Sequence, residues 1–178
     1  DEVSWAKLRD FRRETGYRPP WYLDVEQACP EDEPAHPVTW EEATAYGGHY
    51  GLRLPDEAEW FLAAFGVDGR PWPWGTEPPT PERARLCALS DGCPDEAHHP
   101  APVGRRPLGA SPYGCLDMIG NVSEWLEGED SRGQPVRRGG DAGAHGYYVR
   151  PRVERRTGRN NERGQGFRVA FSPRRRRS

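Results

Sequence analysis

Proline and glycine interrupt this chain so often that only short helices and strands can form between them. The 178 residues include 21 Gly and 19 Pro, with no collagen-like period, and aromatic residues alternate with the breaks. Proline removes a backbone donor and glycine resists ordering, so the expected fold is loop-rich. Seven Trp and a hydrophobic share of 34% still supply a core. The length predicts one domain, residues 1–172, followed by a basic tail over 173–178.

Three helices can be read from caps and apolar spacing. Ser4 is placed to cap a helix starting at Trp5, with Trp5, Leu8 and Phe11 on one face and Gly16 ending it. Thr39 and Glu42 have capping-box spacing and open a helix over about 40–50, where Trp40 is expected to pack rather than stack on a ligand. Asp56 and Glu59 repeat that arrangement for a helix to about Ala64, and an ion pair with Arg53 is expected for the nearby glutamates. Glu57 and Glu59 are two residues apart, which puts them on different faces and gives no catalytic carboxylate pair. The Pro71–Gly75 segment cannot be a central strand, and its tryptophans are expected to seal a core under long loops. Val136–Gly140 and Gly166–Phe171 read as strands.

Charge is distributed unevenly. Residues 1–130 hold 25 acidic and 11 basic side chains, whereas residues 131–178 hold 3 acidic and 14 basic. Such polarity fits ion pairs between the two parts, or a positive surface for nucleic acid built from Arg150 to Arg163 and the terminal arginines. Arg150, Arg152, Arg155 and Arg156 cannot all share one side of a regular element, so some should meet carboxylates of the first part. No segment approaches 18 apolar residues and the chain does not open on a basic-then-apolar leader, so a soluble protein without membrane insertion is expected, the cytoplasm being slightly favoured. Four cysteines, Cys29, Cys87, Cys93 and Cys115, allow three complete pairings; Cys87 and Cys93 flank a short turn and suit a local disulfide, or all remain thiols. Zinc is disfavoured because no close Cys pair exists, although His98 and His99 lie near that turn.

The segment Tyr113-Gly-Cys-Leu-Asp-Met-Ile-Gly-Asn-Val-Ser-Glu-Trp125 is the densest mixture of special residues. Asn121 and Glu124 carry hard oxygens suited to calcium, or they close a turn through polar hydrogen bonds. With His36-Pro-Val-Thr-Trp40, Arg53-Leu-Pro-Asp-Glu-Ala-Glu-Trp60, Pro73-Trp-Gly75, Arg138-Gly-Gly140 and Gly166-Phe-Arg168, it falls in an order that resembles the formylglycine-generating-enzyme/sulfatase-modifying-factor family. The resemblance runs from Trp5 to Ala170. It implies an α+β, variant C-type-lectin-like fold with short helices, a small antiparallel sheet and extensive loops. It also implies calcium held by Asn121, the Val122 carbonyl and Glu124, while Leu86 stands where a second calcium site usually draws an asparagine.

Catalytic members of that family carry, after Arg-Gly-Gly, two cysteines that bind copper and use oxygen to convert a substrate cysteine to formylglycine. Residues 141–150 here read Asp-Ala-Gly-Ala-His-Gly-Tyr-Tyr-Val-Arg, with no cysteine, so copper and that activity are not expected. A related branch, the sulfoxide synthases, joins such a domain to a helical iron-binding domain that has no counterpart in this sequence. The leading expectation is a noncatalytic domain, of a kind found in bacteria, that recognises a protein or small-molecule ligand. It would do so through Asp141, Ala142, Ala144, His145, Tyr147, Tyr148, Arg150 and Arg152, where tyrosines give broad contact at modest ordering cost, and this resembles retroelement-diversified variable proteins. The alternative is an accessory or substrate-binding domain of a formylglycine-generating-enzyme-like or sulfoxide-synthase-like oxidoreductase, with nucleic-acid binding behind both.

Overall fold

The protein is described by a computed structural model in residues 1–19, 29–89, 99–143, 156–157 and 164–172. Three helices precede a small sheet: α1 (Trp5–Thr15), α2 (Trp40–His49), α3 (Glu57–Phe65), then β1 (Ser123–Glu129), β2 (Pro135–Arg138), β3 (Arg156–Thr157) and β4 (Gln165–Phe167). The strands lie in the order β3-β2-β1-β4; β1 pairs antiparallel with β2 and parallel with β4, and β2 pairs antiparallel with β3. The expected α+β class with short elements and a largely antiparallel sheet is observed.

The helix boundaries follow the sequence signals, but two caps are wired differently. Ser4 occupies the N-cap of α1, yet its hydroxyl makes no cap bond. The first free amides instead donate to carbonyls of the adjacent chain, Trp5 to Glu33 at 2.9 Å and Ala6 to Glu31 at 3.0 Å, so the cap is tertiary. On α2, Thr39 accepts from the Glu42 amide at 3.1 Å, but the Glu42 carboxylate turns inward to Arg12 at 2.7 Å. That contact replaces the reciprocal half of the expected capping box. Only α3 makes the full box, with Asp56 accepting from the Glu59 amide and Glu59 reaching back to the Asp56 amide.

Strand β1 lies at the centre and divides the interior. Successive side chains alternate across a strand, so Trp125 points into one core and Glu124 and Leu126 into the other. Trp125 joins Trp5, Leu8, Phe11, Val38 and Phe167, beside α1 and α2. Leu126 joins Trp60, Phe65, Met118, Ile119 and Val136, against α3. Burial on both faces explains why Ser123-Glu-Trp-Leu126 shows no polar-apolar alternation. The segment 113–125, read as a possible closed turn, therefore ends in a strand: the turn stops at Asn121, whose φ is 62°. Trp40 packs on the first core and donates its indole N–H to the Leu126 carbonyl at 2.8 Å. The turn tryptophans seal the second core only in part. Trp74 packs on it, while Trp72 stacks on Trp74 with ring centroids 5.5 Å apart and remains partly exposed.

Candidate functional site

The Gly120-Asn-Val-Ser-Glu124 segment is held by a long-range polar network. Gly120 has φ of 79°, and a Cβ there would lie 2.2 Å from the Arg85 carbonyl oxygen, so only glycine permits the turn to press against its neighbour. Beyond it, the Asn121 side chain donates to Glu2 at 2.7 Å and accepts from the Ala101 amide at 2.8 Å. The Val122 amide donates to the other Glu2 oxygen at 3.3 Å. Glu124 is fully buried; it accepts from Arg168 through both oxygens at 2.6 and 2.7 Å and from the Trp60 indole at 2.6 Å.

Charge in this network is set by burial. Glu2 is pushed well above the ordinary carboxylate range by desolvation, then by the charges of Asp117 and Glu124, against the pull of Arg168 and the Asn121 hydrogen bond. Burial also raises Asp117, whose Oδ2 accepts from the Gly104 amide at 2.7 Å while Oδ1 is buried with no hydrogen-bond partner. Burial disfavours the charge on Arg168, but the neighbouring Glu124 outweighs it and keeps the guanidinium protonated. The calcium candidates Asn121, Val122 and Glu124 thus sit together, yet the Asn121 amide oxygen and both Glu124 oxygens already serve protein donors. A cation would have to displace Arg168 to reach Glu124. Among the described residues no group of three His, Cys, Asp or Glu side chains is placed to hold a metal ion.

Residues 141–143 are tied to this network through Ala142. Ala142 is 1% exposed, donates its amide to the Asn121 carbonyl at 2.9 Å and accepts from the Cys87 amide at 2.7 Å. It is an anchor point and offers no side chain to a ligand, because its amide and carbonyl are hydrogen-bonded and its methyl is buried. Gly164, where the described chain resumes, has φ of 104°, and its missing Cβ would come within 2.9 Å of the Asp141 Cβ. The Gly164 carbonyl in turn accepts from the Ser123 amide at 2.8 Å and hydroxyl at 3.1 Å. Asp141 and Gly164 therefore lie side by side, with Ala142 tied to Asn121 and Gly164 tied to Ser123 at the start of β1. Ala144, His145, Tyr147, Tyr148, Arg150 and Arg152 lie outside the described residues. Cys87 is disulfide-bonded and Cys115 carries a free thiol; Cys93 and His98 also lie outside the described residues.

One residue of this face was quoted only as part of a motif. His36, joined to Pro37 by a cis peptide, has a buried Nδ1 without a hydrogen-bond partner. Burial, followed by the charge of His99, lowers its pKa to about 4. Glu2 was not singled out at all. Its partners lie 119 and 120 residues away, so no local spacing signals its role. The charge asymmetry found its partners as ion pairs across the fold, Arg168 with Glu124 and Arg138 with Glu57, both at 2.6 Å. Of the arginines expected to do so, Arg150, Arg152 and Arg155 lie outside the described residues, and no side chain is described for Arg156.

A small mixed sheet flanked by short helices, its central strand leading out of the Gly120-Asn-Val-Ser-Glu124 segment, defines a formylglycine-generating-enzyme-like scaffold. The chain belongs to the family described as Sulfatase-modifying factor enzyme 1-like domain, which it matches over residues 1–173. It is 36% identical over 140 residues to the hercynine oxygenase of Mycolicibacterium smegmatis, covering 70% of this chain and 31% of that protein. It is 36% identical over 125 residues to the formylglycine-generating enzyme of Thermomonospora curvata, covering 60% of this chain and 41% of that one. The chain thus spans less than half the length of either relative. The solved structure of PvdO from Pseudomonas aeruginosa shares the fold with a TM-score of 0.73 at 22% identity, over 94% of this chain and 77% of that one. These likenesses favour the accessory-domain reading over that of a diversified recognition protein. Among the described residues no helix is long and apolar enough to cross a membrane.

Proposed function

We propose that this chain is the substrate-contacting accessory domain of an oxidoreductase of the hercynine-oxygenase type, whose metal ligands are supplied by another polypeptide segment. The observation that carries this reading is the 36% identity to a hercynine oxygenase across 70% of the chain. Two features support it. The cysteine pair of formylglycine chemistry is missing from residues 141–150, and Cys87 is committed to a disulfide, which removes it as a copper ligand. The chain's own part is positional. Network contacts from Glu2 to Arg168 fix the segment that leads into β1, Asn121 and Ser123 of that segment hold Ala142 and Gly164, and the stretch of sequence between these two, with His145, Tyr147, Tyr148, Arg150 and Arg152, is the part we assign to substrate contact. No iron-dependent step is assigned to these residues.

The test is hercynine itself. In the full protein that carries this domain, supplied with ferrous iron, saturable hercynine binding and hercynine-dependent oxygen uptake are expected, both weakened by Tyr147→Ala or Arg150→Ala. Absence of both binding and uptake, in protein that is folded and holds iron, overturns the reading.

A further inference from the structure

A second surface shares none of the residues of the Glu2 to Arg168 network. It is a cleft of about 560 Å³ between α2 and the far end of β1, a size that suits a small organic molecule. Trp40, Leu52 and Leu54 give it an apolar wall, and Glu127, with its side chain 55% exposed, stands at its edge. Two glycines keep it open, since a Cβ at Gly48 or at Gly128 would meet nothing within 4 Å.

The backbone of β1 sets the indole beside the carboxylate. The Trp40 indole N–H donates to the Leu126 carbonyl at 2.8 Å, which fixes the ring one residue from Glu127. Leu126 enters the core against α3, and Glu127, next along the strand, lines the cleft with α2. Both groups have binding capacity left. Arg53 reaches Glu127 only at 3.5 Å, well beyond the roughly 2.8 Å of a charge-assisted bond, because it donates to both oxygens of Glu59 at 2.5 and 2.6 Å. The Arg53 charge is thereby balanced by Glu59, and the charge of Glu127 is not. Trp5 carries Arg9 and Arg12 over its ring at 5.7 and 5.5 Å, and Trp125 carries Arg137 at 5.3 Å, but among the described residues no arginine stands over Trp40. The complement of an indole face beside a carboxylate is a planar cation, whose face stacks on the ring while its N–H groups bond the acid.

We propose that the cleft binds a small-molecule planar cation, an amidinium or guanidinium carried on an apolar body, with the charged group between Trp40 and Glu127 and the body against Leu52 and Leu54. Charge complementarity with Glu127 selects the cation, and the apolar wall selects the body. This second site does not rest on the substrate role given above to the stretch after Ala142.

The experiment titrates benzamidine, and its uncharged isostere benzamide, into the full chain by calorimetry at low salt. Saturable binding of benzamidine, about tenfold tighter than that of benzamide, is expected. Two variants locate the site. Glu127→Gln removes the charge at an exposed position and should weaken benzamidine about tenfold while leaving benzamide unchanged. Gly48→Leu adds bulk to the cleft from α2, where a Cβ meets no atom within 4 Å, and should abolish binding. Neither change should lower the melting temperature, which serves as the folding control. Absence of benzamidine binding, equal affinity for the two compounds, or indifference to either variant overturns the proposal. N-acetylargininamide carries the cation without the apolar ring and should bind about tenfold more weakly than benzamidine. Binding as tight as that of benzamidine assigns the cleft to an arginine of a partner protein and overturns the small-molecule site.

Discussion

Two arginine-glutamate pairs of nearly equal length occupy opposite environments in this molecule. Arg168 meets Glu124 at 2.6 Å with side chains 8% and 1% exposed, and Arg53 meets Glu59 at 2.5 Å with side chains 30% and 41% exposed. Distance does not rank them; desolvation does. In the first, each partner has lost its water and depends on the other, whereas in the second each can return to solvent. The buried pair therefore fixes the central strand, while the exposed pair trims the start of α3.

The sharpest way to break this contrast is Arg168→Met, which strands a buried carboxylate. A loss of about 3–5 kcal/mol is expected, read as a fall in the urea midpoint at pH 7. A loss no larger than that of Arg53→Met would refute the ranking. His36 tests the same face by pH. Its folded pKa is about 4 against an ordinary value of 6.5, so between these values the unfolded chain binds more protons and stability falls as the pH drops. That contribution is at most roughly 3 kcal/mol, and His36→Phe should remove it, shrinking the difference in stability between pH 7 and pH 4.5. Glu2 has the opposite sign: its pKa is raised, so stability falls as pH rises from the ordinary carboxylate value through the folded one, and Glu2→Gln should reduce that alkaline-side loss while keeping the Asn121 contact.

Smaller effects belong to the exposed pair. Arg53→Met is expected to cost about 1 kcal/mol or less and to cost less still in high salt. Glu59, held to about 2 by Arg53 and then by the Asp56 amide, contributes above its ordinary pKa and loses that contribution as the pH falls toward 2. The smallest effect concerns calcium. Because Arg168 and Trp60 already engage Glu124, added calcium should leave the melting temperature unchanged; a saturable rise of several degrees would instead show that the ion displaces Arg168.

Much of the fold was legible from local sequence. Gly16 ends α1 in the left-handed conformation at φ of 69°, Asp56 and Glu59 form their box, and Arg53 finds Glu59, because each signal acts within a few residues. Strand β1 was harder to read, since burial on both faces erases the alternation that marks a strand. Glu42 was misread for a related reason: its spacing from Thr39 is that of a capping box, but a buried arginine thirty positions away competes for the carboxylate.

The candidate site divides in the same way. Its glycines and its Gly-Asn-Val-Ser-Glu segment are properties of the sequence, and they carry the family without any coordinates. Which oxygens remain open to a ligand is a tertiary matter. Glu2, Asn121, Glu124 and Arg168 come from three distant stretches, and only their convergence determines that the acids meet protein donors. The cleft lined by Trp40, Arg53, Leu54 and Glu127 has the same origin, since Trp40 of α2 and Leu126 of β1 lie 86 residues apart in the chain. Local signals fix local hydrogen bonds because the groups are always near one another; solvation and charge pairing between distant groups exist only once the chain has closed.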